Sequence, residues 1–233
     1  MPSKYWFLKQ IKLFSDLPDE EIRQMEQVTR MESVKRRQFI YLPGDPASTV
    51  LLLKSGRVKL SRVNEDGKEL TLAILEPGEI FGEMEVLEGM PRDTVAEALD
   101  DVSICVMQRS DFEAMLKKDP NTSIRLTKLI GLRLKKIESR IEDLVFKDVP
   151  ARLAHLLIGL SKEFGVQENG QTRLNVKLSH QELANLIGST RETVTATLGE
   201  FKKRGWIAFD GRRLVILRAK ELEQLLHPLT RPA

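Results

Sequence analysis

Cysteine is almost missing from this chain of 233 residues: Cys105 is the only one, and no Cys-x-x-Cys pair occurs. A single cysteine cannot close an internal disulfide or supply a ligand cluster for an iron–sulfur centre, which fits a reducing compartment. No apolar run approaches the roughly 18 residues needed to cross a bilayer. We therefore expect a cytoplasmic protein with no membrane partner.

Catalytic motifs are missing as well. No P-loop, no His-Arg-Asp loop of the kinase type and no Gly-x-Ser-x-Gly elbow occurs, so we expect no enzyme. The composition is that of a globular protein, 41% hydrophobic and 30% charged, but the charge is uneven. From Pro150 onward 13 lysines and arginines face 8 acids, a net charge of +5, whereas the preceding residues carry −2. A basic C-terminal half indicates a polyanion partner for that half alone.

Residues 38–108 contain short β-type runs separated by turn signals. The runs are residues 39–42, 50–53, 58–60, 70–75 and 102–107, and Gly or Pro stands between them. Many short strands punctuated in this way are typical of an antiparallel sandwich or jelly roll. The pair Asp66-Gly67 predicts the clearest hairpin, because glycine supplies the positive φ of a tight turn.

A long helix is predicted over residues 122–146. Its apolar residues recur at steps of four and three, and charged residues flank them. This spacing is that of a coiled-coil seam and indicates dimerisation, although packing on the chain's own β domain is the alternative. The predicted dimer contacts are Ile130, Leu134, Ile137, Ile141 and Leu144.

Pro150 marks the end of that helix, because proline biases Val149 away from helical geometry. We therefore divide the chain into a β-roll domain (residues 1–120), a dimerisation helix (121–147) and a C-terminal domain (148–233). The predicted fold class is α+β, with an N-terminal antiparallel β-roll, short helices, the long helix and a winged helix-turn-helix.

The winged helix-turn-helix is predicted from residues 178–217. Ser179 is an N-cap and Glu182, three residues on, completes a capping box. Gly188 permits the left-handed turn between two helices, and Ser189 or Thr190 caps the second. Two apolar runs joined by Asp210-Gly211 then predict a hairpin, the wing.

Such a module places its second helix in the major groove of DNA. Arg191 can donate two hydrogen bonds to guanine, Glu192 can accept from cytosine, and the methyl group of Thr195 can contact thymine. Basic side chains around them suit phosphates. The alternative is a protein-interaction module in which Arg191 and Glu192 pair with each other. The full set of predicted DNA contacts is Lys177, Ser179, His180, Ser189, Thr190, Arg191, Glu192, Thr195, Lys202, Arg212 and Arg213, with Lys203 as a further phosphate contact.

These motifs together resemble the cyclic-AMP receptor protein / fumarate-nitrate regulator (CRP/FNR) family over essentially the whole chain. The match lies in three segments, residues 77–83 (PGEIFGE), 146–149 (FKDV) and 188–194 (GSTRETV). The resemblance implies a cyclic-nucleotide-binding β-roll, a dimerisation helix and a DNA-binding domain whose orientation the effector controls. It also implies a TGTGA-like pseudo-palindromic site and a contact with RNA polymerase.

The sequence retains only half of the effector-pocket residues that the resemblance implies. Gly82 and Glu83 match the family residues for ribose and phosphate, and Arg92 matches the arginine on the cyclic phosphate, with Thr94 nearby. Asp93, however, stands where the family has serine, and a carboxylate near a phosphate is unfavourable unless it points away. The adenine-contacting Thr-Ser pair of cyclic-AMP responders is replaced by Ile137 and Glu138. A cyclic nucleotide, another effector and constitutive activity therefore all remain open.

Two further departures from the family pattern concern the sensing of an effector and the recognition of bases. All three histidines lie after residue 150, so the haem-sensing relatives are disfavoured. Ala196 stands where the family commonly has a third base-reading arginine, which predicts a relaxed preference at one base pair. The rival function is a scaffold or regulatory subunit that senses cyclic nucleotides without binding DNA.

Overall fold

The computed structural model describes residues 4–14, 16–168, 170–211 and 213–226. Two compact units contain the chain, Met1–Lys135 and Lys136–Ala233. No helix among the described residues is both long enough and apolar enough to span a membrane.

The N-terminal unit is built on two four-stranded antiparallel sheets. Their strand orders are β1-β8-β3-β6 and β2-β7-β4-β5. The strands are β1 Thr29–Val34, β2 Phe39–Tyr41, β3 Thr49–Ser55, β4 Val58–Val63, β5 Glu69–Leu75, β6 Ile80–Phe81, β7 Val95–Ala98 and β8 Val102–Gln108. This arrangement confirms the predicted α+β class and the antiparallel β-roll.

The predicted hairpin at Asp66-Gly67 is confirmed. Strands β4 and β5 pair antiparallel on either side of it, and Gly67 has a φ of 76°. Strands β1, β6 and β7 were not predicted from the sequence. Strand β1 leaves most of its residues partly or fully exposed, so it lacks the apolar run by which the other strands were found.

The first sheet separates two hydrophobic cores because side chains alternate along a strand. Leu51 and Leu53 face the second sheet together with Phe81 and Ile104. Val50 and Leu52 face the opposite side, where helices cover the sheet. These helices are α1 Lys4–Leu8, α2 Asp19–Val28, α3 Glu83–Glu88, α4 Arg109–Lys118 and α5 Pro120–Phe146, with a 3-10 turn at Lys12–Phe14.

The C-terminal unit contains a helix-turn-helix and a small sheet. Its elements are α6 Val149–Phe164, β9 Gly165–Glu168, β10 Gln171–Leu174, α7 His180–Ile187, α8 Arg191–Lys203, β11 Ile207–Asp210, β12 Arg213–Ile216 and α9 Ala219–Gln224. The sheet has the order β11-β12-β10-β9. The wing was predicted, but β9 and β10 were not. Strand β9 gives little signal because three of its four residues are polar or glycine and all four are exposed.

The break between α5 and α6 falls where Pro150 predicted it. The Oδ1 atom of Asp148 accepts a hydrogen bond from the backbone N of Ala151 at 3.0 Å, which caps α6. Pro150 stands in the first turn, where its missing N–H costs nothing. Helix α6 therefore begins at Val149, and its buried residues, among them Leu153 and Leu157, form the centre of this unit's core.

Candidate nucleic-acid interface and effector pocket

The first helix of the helix-turn-helix starts at the predicted capping box. The Oγ atom of Ser179 accepts a hydrogen bond from the backbone N of Glu182 at 3.2 Å, and the Glu182 carboxylate accepts from the backbone N of Ser179 at 2.5 Å. Both contacts satisfy donors that a helix terminus otherwise leaves free. The start of α7 is thereby fixed.

The turn between the two helices depends on Gly188, as predicted. Its φ is 60°, a left-handed value that glycine adopts without penalty. A Cβ atom at this position would lie 2.9 Å from Cδ2 of Leu144, so the turn also passes close to the end of α5. Thr190 then caps α8, because its Oγ1 accepts from the backbone N of Thr193 at 3.2 Å.

Helix α8 has one buried and one exposed face. Val194, Leu198 and Phe201 are buried, as the sequence predicted. The exposed residues include Arg191, Glu192, Thr195, Lys202 and Lys203. The arrangement leaves the N-terminal side chains of α8 available to a partner.

Arg191 and Glu192 form no ion pair with each other among the residues that the structure describes. Neighbouring residues on a helix point in different directions, which explains the lack of contact. The alternative in which these two side chains neutralise each other therefore has no support in this arrangement.

His180 is oriented by Thr195. The Thr195 hydroxyl donates to the carbonyl O of Arg191 at 2.8 Å, and its Oγ1 also lies 2.8 Å from Nδ1 of His180. Since the hydroxyl has one proton, the imidazole must be the donor in the second contact. The ring also lies 6.3 Å, between centroids, from Phe209 of the wing. His180 thus links α7, α8 and the wing.

The other predicted DNA contacts lie at the ends of these elements. Lys177 is exposed just before α7, Ser189 is half-buried in the turn, and Arg213 is half-buried at the start of β12. Arg212 lies outside the described residues. The structure thus brings together the candidates on α7, the turn and α8 within one unit, where the wing contributes Arg213.

The effector pocket predicted from the sequence starts at the end of β6. Gly82 has a φ of 72° and Glu83, the next residue, is 2% exposed. Burial raises the pKa of the Glu83 carboxyl, and the positive charge of Arg133 opposes this shift. The Glu83 Oε1 atom accepts a hydrogen bond from Nη1 of Arg133 at 2.8 Å. Glu83 is therefore already paired within the protein.

Arg92 is also buried and paired. Its Nη1 atom donates to the carbonyl O of Gly82 at 2.6 Å and lies 3.4 Å from Oε2 of Glu85, and its Nη2 donates to the carbonyl O of Thr49. The guanidinium carbon lies 4.6 Å from the centre of the Tyr41 ring. Both terminal nitrogens of the Arg92 guanidinium thus have protein acceptors close by.

Asp93 points away from Arg92. Its carboxylate pairs with Arg62, and both side chains are more than half exposed. Thr94 instead points inward, where its hydroxyl lies 3.3 Å from the Tyr41 hydroxyl and donates to Glu85 Oε1 at 3.5 Å. The Asp93 charge is therefore kept out of the buried cluster.

Three members of this cluster were missed by the sequence reasoning: Tyr41, Glu85 and Arg133. Glu85 is 7% exposed although it sits in a short helix with two other acids. Burial raises the pKa of Tyr41 to about 12, so its phenol stays neutral. The spacing of residues 83–88 does not single out Glu85, because a buried glutamate and a solvent-exposed glutamate are the same letter in a sequence.

The seam residues of α5 are mostly uncovered in the single chain. Leu134 is 54% exposed, Ile137 38%, Ile141 55% and Leu144 44%. Ile130 differs, because it is half-buried and packs against the helix-side core of its own unit. The alternative of packing on the β domain therefore holds for Ile130.

An antiparallel β-roll, a long helix and a winged helix-turn-helix with an exposed second helix define a class of DNA-binding regulators. A cyclic nucleotide-binding domain model matches residues 31–119, and a Crp-like helix-turn-helix domain model matches residues 151–225. The chain belongs to the CRP/FNR family of transcription regulators, as the resemblance implied.

Known relatives agree with this assignment. The CRP-like cAMP-activated global transcriptional regulator of Mycobacterium tuberculosis is 33% identical over 187 residues, covering 80% of this chain and 84% of that protein. The global nitrogen regulator of a Synechocystis species is 35% identical over 196 residues, covering 83% and 87%. The structure of a CooA variant from Carboxydothermus hydrogenoformans superimposes with a TM-score of 0.78 at 28% identity, covering 94% and 95%. Both relatives found by sequence are named as regulators.

Proposed function

We propose that the protein acts as a homodimer that reads a pseudo-palindromic, TGTGA-like DNA site. The observation that carries this proposal is the free N-terminal row of α8, where Arg191, Glu192 and Thr195 are exposed and uncommitted to ion pairs among the described residues. A guanidinium can give two parallel hydrogen bonds to guanine O6 and N7, and a carboxylate can accept from cytosine N4. The pair therefore suits one G·C pair in each half-site.

Phosphate contacts in this proposal come from the edges of the same surface. Lys177 is exposed before α7, Lys202 and Lys203 are exposed in the last turn of α8, and Arg213 lies on the wing. Ser179 and Thr190 stand at the N-termini of α7 and α8, where backbone N–H groups attract anions. These contacts hold the register and make the affinity depend on salt.

Dimerisation in this proposal uses the exposed seam of α5. Its residues Leu134, Ile137 and Ile141 recur at heptad spacing, and a second copy of the same helix is the partner that such a seam fits. A homodimer of this kind sets its two recognition helices about one DNA turn apart, roughly 34 Å, on a two-fold symmetric site. The division into β-roll, dimerisation helix and DNA-binding domain remains part of the proposal, as does contact with RNA polymerase.

The dimer is tested with Ile141→Asp and a matched control, Glu142→Asp. Both variants place the same short carboxylate in the helix interior, but only the first puts it in the seam. We expect sedimentation to show a monomer for Ile141→Asp and a dimer for Glu142→Asp. A wild-type protein that sediments as a monomer at the concentrations that saturate DNA would contradict the dimer.

The DNA site is tested by selecting bound duplexes from random DNA. We expect two inverted half-sites with a conserved G·C pair in each, and binding that weakens steeply between low and high salt. A scaffold or regulatory subunit would enrich no sequence at any salt concentration. Selection of a direct repeat or of a single half-site would refute the symmetric reading.

A further inference from the structure

Glu85 is a buried acid that lies outside the candidate DNA-binding surface. Its side chain is 10% exposed and lies in α3, directly after the residues that match the family's nucleotide site. One carboxylate oxygen lies 3.4 Å from Arg92 Nη1, and the other accepts from the Thr94 hydroxyl at 3.5 Å. Glu85 thus holds the position of counter-ion to the buried cation Arg92.

The space beside Gly82 is filled by the same arginine. A Cβ atom at Gly82 would lie 2.5 Å from Nη1, 3.0 Å from Cζ and 3.2 Å from Nη2 of Arg92. A glycine at such a point lets a phosphate approach the backbone. Here the guanidinium itself lies against the glycine, so the residues do not leave room for a phosphate between them.

The carboxylates in the cluster also already outnumber the guanidiniums. Glu83 pairs with Arg133 and Glu85 with Arg92, while Glu79 lies 4.0 Å from Arg133. Three carboxylates therefore face two guanidiniums before any ligand arrives. A phosphodiester would add a further negative charge at a site of low dielectric, where repulsion between like charges is strong.

We propose that Glu85 serves as the pocket's own anion, so that this β-roll excludes cyclic nucleotides and the regulator needs none to bind DNA. The carboxylate occupies the place on Arg92 that a cyclic phosphate would take, and Arg92 in turn closes the space at Gly82. Glu85 is thus the residue that sets the ligand specificity of the pocket. Its regulatory meaning rests on the proposed function, although ligand binding is measured without DNA.

The test uses the full-length chain and three probes: cyclic AMP, cyclic GMP and inorganic phosphate. Wild-type protein should show no rise in melting temperature and no heat of binding with millimolar cyclic nucleotide. Glu85→Gln keeps the side-chain volume but removes the charge, and Glu85→Ala also opens space. We expect these variants to bind at least one probe about tenfold or more tightly than wild type.

The matched control is Glu88→Gln, which removes a carboxylate from the same helix at an exposed position. It should bind no better than wild type, which separates the local effect from a change in net charge. The binding gained by Glu85→Ala should disappear when Arg92→Ala is added, because Arg92 is the cation that Glu85 blocks.

Two outcomes would overturn the proposal. One is tight binding of a cyclic nucleotide by the wild-type protein, lost in Arg92→Ala. The other is a failure of both Glu85 variants to bind any probe better than the Glu88→Gln control. If the wild-type protein selects no DNA sequence but the Glu85 variants acquire nucleotide binding, the proposed function fails and the role of Glu85 stands.

Discussion

Replacement of Arg191 tests the reading of DNA most directly. Arg191→Lys keeps the positive charge at the start of α8 but removes the planar fork that matches guanine. Arg191→Ala removes both. Because the side chain is exposed and follows the Thr190 cap, neither change disturbs the core of the unit. Any loss therefore belongs to the contact with DNA.

The expected size of the loss follows from the proposed dimer. One bidentate contact to guanine is worth about 1–3 kcal/mol of discrimination, and two half-sites double it to about 2–6 kcal/mol. This range corresponds to a loss of roughly 30-fold to 2 × 10⁴-fold in the preference for the selected site. Arg191→Lys should show most of this loss. Its dependence on salt should stay that of the wild type, since the number of neutralised phosphates is unchanged.

Fluorescence anisotropy with a labelled selected site and an unlabelled scrambled competitor measures this preference. Lys220→Ala is the control, because it removes one charge from α9, a helix that packs against α6 rather than offering base contacts. It should keep the site preference. The reasoning is refuted if Arg191→Lys retains full discrimination, or if Arg191→Ala and Lys220→Ala lose equal amounts.

Three other predictions concern the β-roll. Gly82→Ala should destabilise the protein more than Gly67→Ala. Both glycines have a positive φ, which costs an alanine about 1–2 kcal/mol, but only at Gly82 would the new methyl group also clash with Arg92. Equal melting temperatures of the two variants would contradict this. Burial raises the pKa of Cys105 to about 11, so at pH 8 only about one thiol in a thousand is ionised, and iodoacetamide should label it only after unfolding. Lys59 bridges two carboxylates with its side chain 7% exposed, so Lys59→Met should lower the free energy of unfolding by about 3 kcal/mol in urea titrations.

Local signals in the sequence were enough to predict the helix-turn-helix. The capping box at Ser179, the left-handed turn at Gly188 and the apolar stripe of α8 each depend on residues within one or two helical turns. Such features depend on residues that are close together in the sequence, so the spacing of those residues was enough to predict their geometry. The exposure of Arg191 has another cause: it is the first residue of α8, and the first buried position, Val194, comes three residues later.

The effector pocket was less predictable because its contacts are long-range. Arg92 bonds to the carbonyl O of Thr49, 43 residues away, and Glu83 pairs with Arg133, 50 residues away. No periodicity in sequence reports such pairs. The family resemblance found Gly82, Glu83 and Arg92, but not the residues that satisfy them. The predicted objection to Asp93 does not apply, because its pairing with Arg62, 31 residues away, moves the charge outward.

The absence of a third base-reading arginine at Ala196 limits how much sequence information the proposed dimer can carry. Its two Arg191 side chains would supply bidentate contacts worth about 1–3 kcal/mol each, or about 2–6 kcal/mol together. Specific binders typically prefer their sites by about 4–10 kcal/mol, so the arginine contacts reach only the lower part of this range and depend on Glu192 for the rest. The Thr195 hydroxyl donates to the Arg191 carbonyl O, so Thr195 can add a methyl contact but no second bidentate pair of hydrogen bonds. Outside the G·C pair we therefore expect preferences set by the deformability of the DNA, which are weak and spread over several base pairs.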